Sequence, residues 1–384
     1  MQTKLPTLLM RGGTSRGPFF NANDLPSDPI LRDKVLLAVM GSPDARQIDG
    51  LGGANPLTSK VGIVSPGSAA GIDLDFLFAQ ITPAKSLVDT TPNCGNMLAA
   101  VVPFALETGM LKAQGETSTY RVFTQNTGMV CEITVETPGK SLSYEGNTHI
   151  DGVPGTAAPI TINFLDTAGS VCRGLLPTGN LKDSVWLDGI GEIEVTCIDN
   201  GMPLVILKAC DLGKSGYETV TELNADPELK TRLESLRLAC GHLMGLGDVQ
   251  DKTYPKMTLI APPKGEGSIS TRSFIPHVCH DAIGVLAAVT VGTACVLKGS
   301  IAEGVANLPA GLVKTVSVEH PSGEFSVELA IDSQDSQRVT RAALIRTARL
   351  IMQGTVLIPQ SIWDGQSGKA VATSTPKSGA QSDY

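Results

Sequence analysis

The chain has 384 residues, with 30 Lys and Arg against 38 Asp and Glu for a net charge of −8, and 42% of it is hydrophobic. That length and apolar content predict a folded core in one large or two ordinary domains. With 9 Phe, 5 Tyr and 2 Trp against 41 Gly and 24 Pro, packing is expected to be aliphatic with many tight turns, which excludes long bundles and coiled coils; an acidic chain this poor in stacking and clustered basic side chains is not a nucleic-acid binder, nor is it drawn to an anionic membrane surface.

In chain order, short apolar runs bounded by turn residues predict strands over 7–10, 61–64, 119–123, 129–135, 160–164, 192–198, 204–207, 257–259, 315–318 and 324–331. Helical patterns are fewer: 29–40, 97–108, 227–240 with Asp226 as N-cap, 282–296, and the segment around 341–352. The result is an α+β pattern without regular βαβ alternation. The charge-free apolar run 282–297 falls short of the roughly 20 residues of a bilayer span and reads as a buried core helix. No extended apolar stretch precedes Arg11, so no secretory signal is read and a cytoplasmic location is expected. Eight scattered Cys without a CxxC pair fit a reducing compartment.

An approximate internal duplication is visible. Asn93-Cys94-Gly95-Asn96 runs into one apolar helix, and half a chain later Val278-Cys279-His280-Asp281 runs toward another. Two similar domains with facing Cys-bearing helix starts are therefore expected, divided near residue 185, around Asp183 and Ser184. The tail from Gly365 to Tyr384, rich in Ser, Gly and Thr, has little to bury and is expected to be mobile.

Several motifs carry possible chemistry. Arg11-Gly12-Gly13-Thr14-Ser15-Arg16-Gly17 follows a strand, and its backbone N–H groups and hydroxyls suit an anion as well as a plain tight turn. The Gly-rich stretch 49–60 is not a dinucleotide fingerprint, because Asn55 and Pro56 stand where a third glycine and a helix should follow; it delivers Lys60 to the start of a strand. A Lys there is ordinarily a solvated surface charge, and becomes a usable base when the loop desolvates it. Cys94 sits where a helix begins, a setting that favours thiolate, and Gly95 lets a ligand approach the backbone. His277, Cys279 and His280 lack a second cluster of ligands, so no metal is expected. A second anion-holding helix start, using His280 and Arg272, competes with a structural histidine. Glu319-His320-Pro321-Ser322-Gly323 reads as a turn.

These motifs, in this order, resemble the PrpF family of cofactor-independent isomerases. The matching stretches include MRGGTSRG (10–17), LLAVMGSPDARQIDGLGGANPLTSK (36–60), NCGNM (93–97), NTG (126–128), RSFIPHVCH (272–280), EHPSGE (319–324) and IRTARLIMQGTV (345–356), and they cover the chain to about residue 362. The resemblance implies a diaminopimelate epimerase-like fold: two similar domains, each a β-barrel-like wrap around a central apolar helix. These would span 1–185, joined by a returning segment at about 353–362, and 186–352. It implies proton abstraction by Lys60, with Cys94 as acid or helper, and no cofactor. Cys279 takes the place of a second thiol, but His280 follows where those epimerases commonly have Gly, which suits movement of a double bond better than inversion of a stereocentre.

The expected reaction is a 1,3-proton transfer in an unsaturated di- or tricarboxylate, foremost an oxalomesaconate-like acid, with aconitate, methylaconitate or methylitaconate as alternatives. Thr14, Ser15, Asn93, Gly95, Asn96, Arg272, Cys279 and His280 are the expected substrate-binding residues. A reading of another class is an accessory protein of an aconitase-like Fe–S enzyme. No nucleic-acid or membrane partner is expected, and a homo-oligomer is the general expectation for such enzymes.

Overall fold

The computed structural model describes residues 1–165, 167–335 and 338–367; the expected mobile tail, from 368 onward, lies outside the described residues. In the first half, β1 (Gln2–Gly12) and β2 (Ser15–Asn21) form a hairpin, and α1 (Pro29–Met40) leads to β3 (Lys60–Pro66) and β4 (Leu74–Ile81). The short β5 (Val88–Asp89) precedes α2 (Gly95–Leu98) and α3 (Val101–Glu107), followed by β6 (Thr117–Thr124), β7 (Met129–Glu136) and β8 (Ile160–Phe164). The second half holds β9 (Asp183–Leu187), β10 (Gly191–Asp199), β11 (Pro203–Lys208), α4 (Val220–Asn224), α5 (Pro227–Leu243), β12 (Lys256–Ala261) and β13 (Ile269–Phe274). It continues through α6 (Val285–Val296), β14 (Val313–His320), β15 (Gly323–Ile331) and β16 (Val339–Arg346), after which β17 (Ala348–Pro359) returns to the first half.

The strand pairings repeat. From β17 the ladder runs to β1, β2, β3, β4, β6, β7 and β8, antiparallel except at β2/β3 and β4/β6. From β9 it runs to β10, β11, β12, β13, β14, β15 and β16, antiparallel except at β11/β12 and β13/β14, the same succession. The two series join where β8 pairs antiparallel with β16. The same succession of strand pairings thus recurs in the two halves.

Local chemistry explains the element ends. Asp28 accepts the Leu31 N–H at the start of α1, Pro29 fills a first-turn position, and Gly41 closes the helix at φ 74°. Asp226 caps α5 through the Leu229 N–H, as expected. Helix α6 has no side-chain cap; residues 287–296 are buried, so tertiary packing holds it. One apolar core gathers α2, α3 and α6 from both halves, while α1 and α5 each cover a separate cluster. Among the described residues no helix is long and apolar enough to cross a membrane.

Every expected strand lies within an observed one, and three expected helices need correction. The helix expected over 97–108 breaks between Leu98 and Val101. The helix expected from 282 begins at Val285. Residues 341–352, helical by their Ala, Leu and Arg content, form β16 and the start of β17, because β15 and β8 flank β16 and supply ladder bonds that override propensity. The strand that returns to the first half is β17, Ala348–Pro359, and residue 185 lies within β9.

Candidate active site

The β1–β2 hairpin turns on Gly13 and Thr14, with Gly12 paired to Ser15. Gly13 has φ +51°, which suits the first position of a two-residue primed turn. A Cβ there would also lie 2.1 Å from Asn96 Oδ1, so this turn is glycine-rich in order to let Asn96 in. The Asn96 amide donates to Thr14 Oγ1 at 2.9 Å and reaches Ser15 Oγ at 3.5 Å.

Cys94 is the N-cap of α2, its own N–H donating to Asn93 Oδ1 at 2.8 Å. Since α2 has a single turn, the aligned-dipole argument for this thiol shrinks accordingly. A Cβ on Gly95 would lie 3.1 Å from Val285 Cγ2, so the start of α2 meets the start of α6 across the two halves.

Lys60 opens β3 and is buried at 8% exposure. Its Nζ donates to Gln80 Oε1 at 2.6 Å and lies 5.0 Å from the centroid of the Phe78 ring. Gln80 is itself oriented, its Nε2 donating to the carbonyls of Pro56 and Ser59. Asn126 exchanges hydrogen bonds with the Phe78 backbone and donates to Thr90 O at 2.6 Å, tying β4 to the segment that leads into Cys94. Gly17 closes the arrangement: a Cβ on it would fall 1.8 Å from Lys60 O and 3.2 Å from Met97 Cε. The Lys60 carbonyl, the glycine-rich hairpin and the Met97 side chain of α2 are therefore packed closely together.

Arg346, unnoticed in the sequence, completes the cluster. It ends β16, is 6% exposed, and donates through Nε to Asn96 Oδ1 at 3.2 Å and through Nη1 to Ile345 O at 2.8 Å. Its guanidinium carbon lies 3.6 Å from the centroid of Phe325. Burial pulls its pKa down to about 10, opposed by the charges of Glu324 and Cys94. Of 319–323, expected to be a turn, only Pro321 and Ser322 form one, between the ends of β14 and β15, and this hairpin borders the arginine. Glu324 N–H donates to Asp151 Oδ2 at 2.9 Å, and Ser322 donates to the Asp281 carbonyl. His320 is pushed below its ordinary value chiefly by burial, with Asp151 opposing and His280 and Arg346 reinforcing.

The second expected helix-start site is not assembled. Cys279 is buried in the α5 cluster, with its N–H on Asn224 Oδ1 at 2.8 Å, and α6 starts only at Val285 behind Gly284. Burial pushes the Cys279 thiol up to about 11, with Arg272 opposing. Arg272 donates to the carbonyls of Glu218 and Thr271. His280 is exposed, and its Nδ1 accepts the Ala282 N–H at 2.8 Å. His277 faces Glu234 at 3.5 Å. The sequence places these residues side by side, but a strand end separates them from the helix.

Residues 2–359 match the family described as PrpF protein. The chain is 51% identical over 364 residues to the 4-oxalomesaconate tautomerase of Pseudomonas putida, covering 95% of this chain and 99% of that one. It is 53% identical over 353 residues to the (4E)-oxalomesaconate Delta-isomerase of a Novosphingobium species, covering 92% and 97%. The crystal structure of a methylitaconate-delta-isomerase matches with a TM-score of 0.83 at 34% identity, over 98% of this chain and all of that one. Fold and relatives together define an isomerase acting on a small molecule. The chain belongs to the PrpF family, as its motifs implied.

Proposed function

We propose that the protein moves a double bond by 1,3-proton transfer in an oxalomesaconate-like polycarboxylate. The observation that carries this is the buried Lys60 amine, held by Gln80, at the start of a strand whose Lys60 carbonyl packs on Gly17 of the hairpin that carries Thr14 and Ser15, which Asn96 ties to Arg346. The amine of Lys60 takes a proton from the allylic carbon, and the electron pair shifts into the conjugated system as a dienolate. The same proton, or one from Cys94, then adds to the far carbon. Arg346 and the hydroxyls of Thr14 and Ser15 hold substrate carboxylate and meet the negative charge as it develops. Proton transfer by a positioned side chain is worth about 10²- to 10⁴-fold. The oxalomesaconate enzymes named above support this substrate over methylitaconate, whose isomerase is less similar. Arg272, Cys279 and His280, expected as substrate ligands, are not part of this proposal. We further infer two domains, residues 1–182 completed by β17, and β9 through β16, supported by the repeated pairing series.

Proton NMR in D₂O tests the reading, with oxalomesaconate, methylitaconate and aconitate offered separately to wild type and Lys60→Met. Deuterium should enter an allylic position of oxalomesaconate with wild type, and the rate should fall about 10²- to 10⁴-fold in the variant. Exchange that survives Lys60→Met rejects the base assignment, and exchange confined to another acid rejects the substrate. Absence of exchange with any acid favours the accessory-protein reading.

A further inference from the structure

β1 and β17 keep one register as far as Leu9 opposite Met352, then shift so that Met10 faces Leu350 and Arg11 faces Arg349. Ile351 is the extra residue of this bulge, and without it Arg11 would face Leu350. Bulges commonly re-aim a side chain, and this one sets two cations directly opposite each other, an arrangement that is destabilising in a bare ladder. Neither arginine forms an ion pair among the described residues.

Both side chains line a cavity of about 510 Å³ between this ribbon and the segment 144–157, with Tyr144, Glu145, Thr156 and Ile351 also in its wall. Arg11 uses Nη1 on the carbonyls of Gly13 and Thr347 and on Thr347 Oγ1, and its other N–H groups face no protein acceptor among the described residues. The Tyr144 hydroxyl is buried with no hydrogen-bond partner. Burial and the nearby Glu107 carboxylate oppose its ionisation. Glu145 is the one carboxylate in the wall, against two guanidinium groups.

We infer that this cavity is a second anion site, separate from the Lys60 cluster, and that it takes a small polycarboxylate, with the two guanidinium groups each receiving a carboxylate. Its volume suits a small organic acid. The site also has a route to the candidate active site, since the carbonyls that Arg11 holds belong to Gly13 and Thr347, the neighbours of Thr14 and Arg346.

Isothermal titration of the full chain with citrate tests this. Arg349 is exposed on an edge strand, so Arg349→Met removes no core contact. Citrate should bind wild type and Lys60→Met alike, and about tenfold or more weaker to Arg349→Met. Equal binding by all three proteins, binding by none, or loss in Lys60→Met alone overturns the site. Inorganic phosphate binding tighter than citrate overturns the polycarboxylate assignment. Because the readout is binding, the site stands or falls independently of the proposed reaction.

Discussion

Replacing Asn96 by alanine tests the joint that links the two halves at the candidate active site. The side chain accepts from the buried Arg346 Nε at 3.2 Å and donates to Thr14 Oγ1 at 2.9 Å. A hydrogen bond to a charged group contributes about 1.5–3 kcal/mol and a neutral one about 0.5–1.5 kcal/mol. The 3.5 Å approach to Ser15 is at the limit of bonding and is counted as nothing. Asn96→Ala should therefore cost about 2–4.5 kcal/mol, a large share of an ordinary folding free energy. Urea unfolding of wild type, Asn96→Ala, Arg346→Met and the double variant gives both the loss and the coupling. Residues sharing one hydrogen bond couple by about 0.5–3 kcal/mol. A loss below about 0.5 kcal/mol, typical of an uninvolved surface site, or strict additivity in the double variant would refute the reasoning.

Other outcomes follow from the same geometry. Cys279→Ser should keep turnover within a few-fold of wild type, since the thiol lies in the α5 core with its acidity suppressed, whereas Cys94→Ser should lower it; steady-state rates of both decide the point. Because His320 is held below its ordinary value, the unfolded chain binds that proton first, so the stability it contributes is full above about pH 6.5 and is lost as pH falls from there toward the lower folded value. Unfolding curves between pH 7.5 and about 5 should accordingly flatten in His320→Gln. Gly17→Ala should displace Lys60 and Met97 and lower turnover and thermal midpoint together, because its methyl would overlap the Lys60 carbonyl.

What the sequence made legible was contiguous or periodic. Thr14, Ser15, Cys94 and Asn96 stand in compact motifs whose glycines announce close backbone approach, and the strands of β6 and β7 alternate cleanly between buried and less buried residues. Arg346 was hidden twice over. It reaches Asn96 from 250 positions away, and it lies in a segment whose composition favours helix, so its strand character depends on neighbours supplied by the fold. Cys279 failed in the opposite way, because nearness in sequence to an apolar helix suggested a helix start that Ser273, Asn224 and the bridge to Phe274 pull into the sheet. β4, with six of its eight residues buried, offers no clean alternation to read.

The pairing of β1 with β17 sets Gln2 opposite Pro359, and Gln360 N–H donates to the Met1 carbonyl. During synthesis this means that the first strand made waits for the last one. The first half can form most of its ladder as it leaves the ribosome, but one side of β1 stays unpaired until the second half has been translated, so maturation of the two halves is interlocked rather than sequential. The closeness of Met1 and Gln360 also invites circular permutation: joining residue 360 to residue 1 and opening the loop before β9 would place β17 directly ahead of β1 and let the first half close on its own residues.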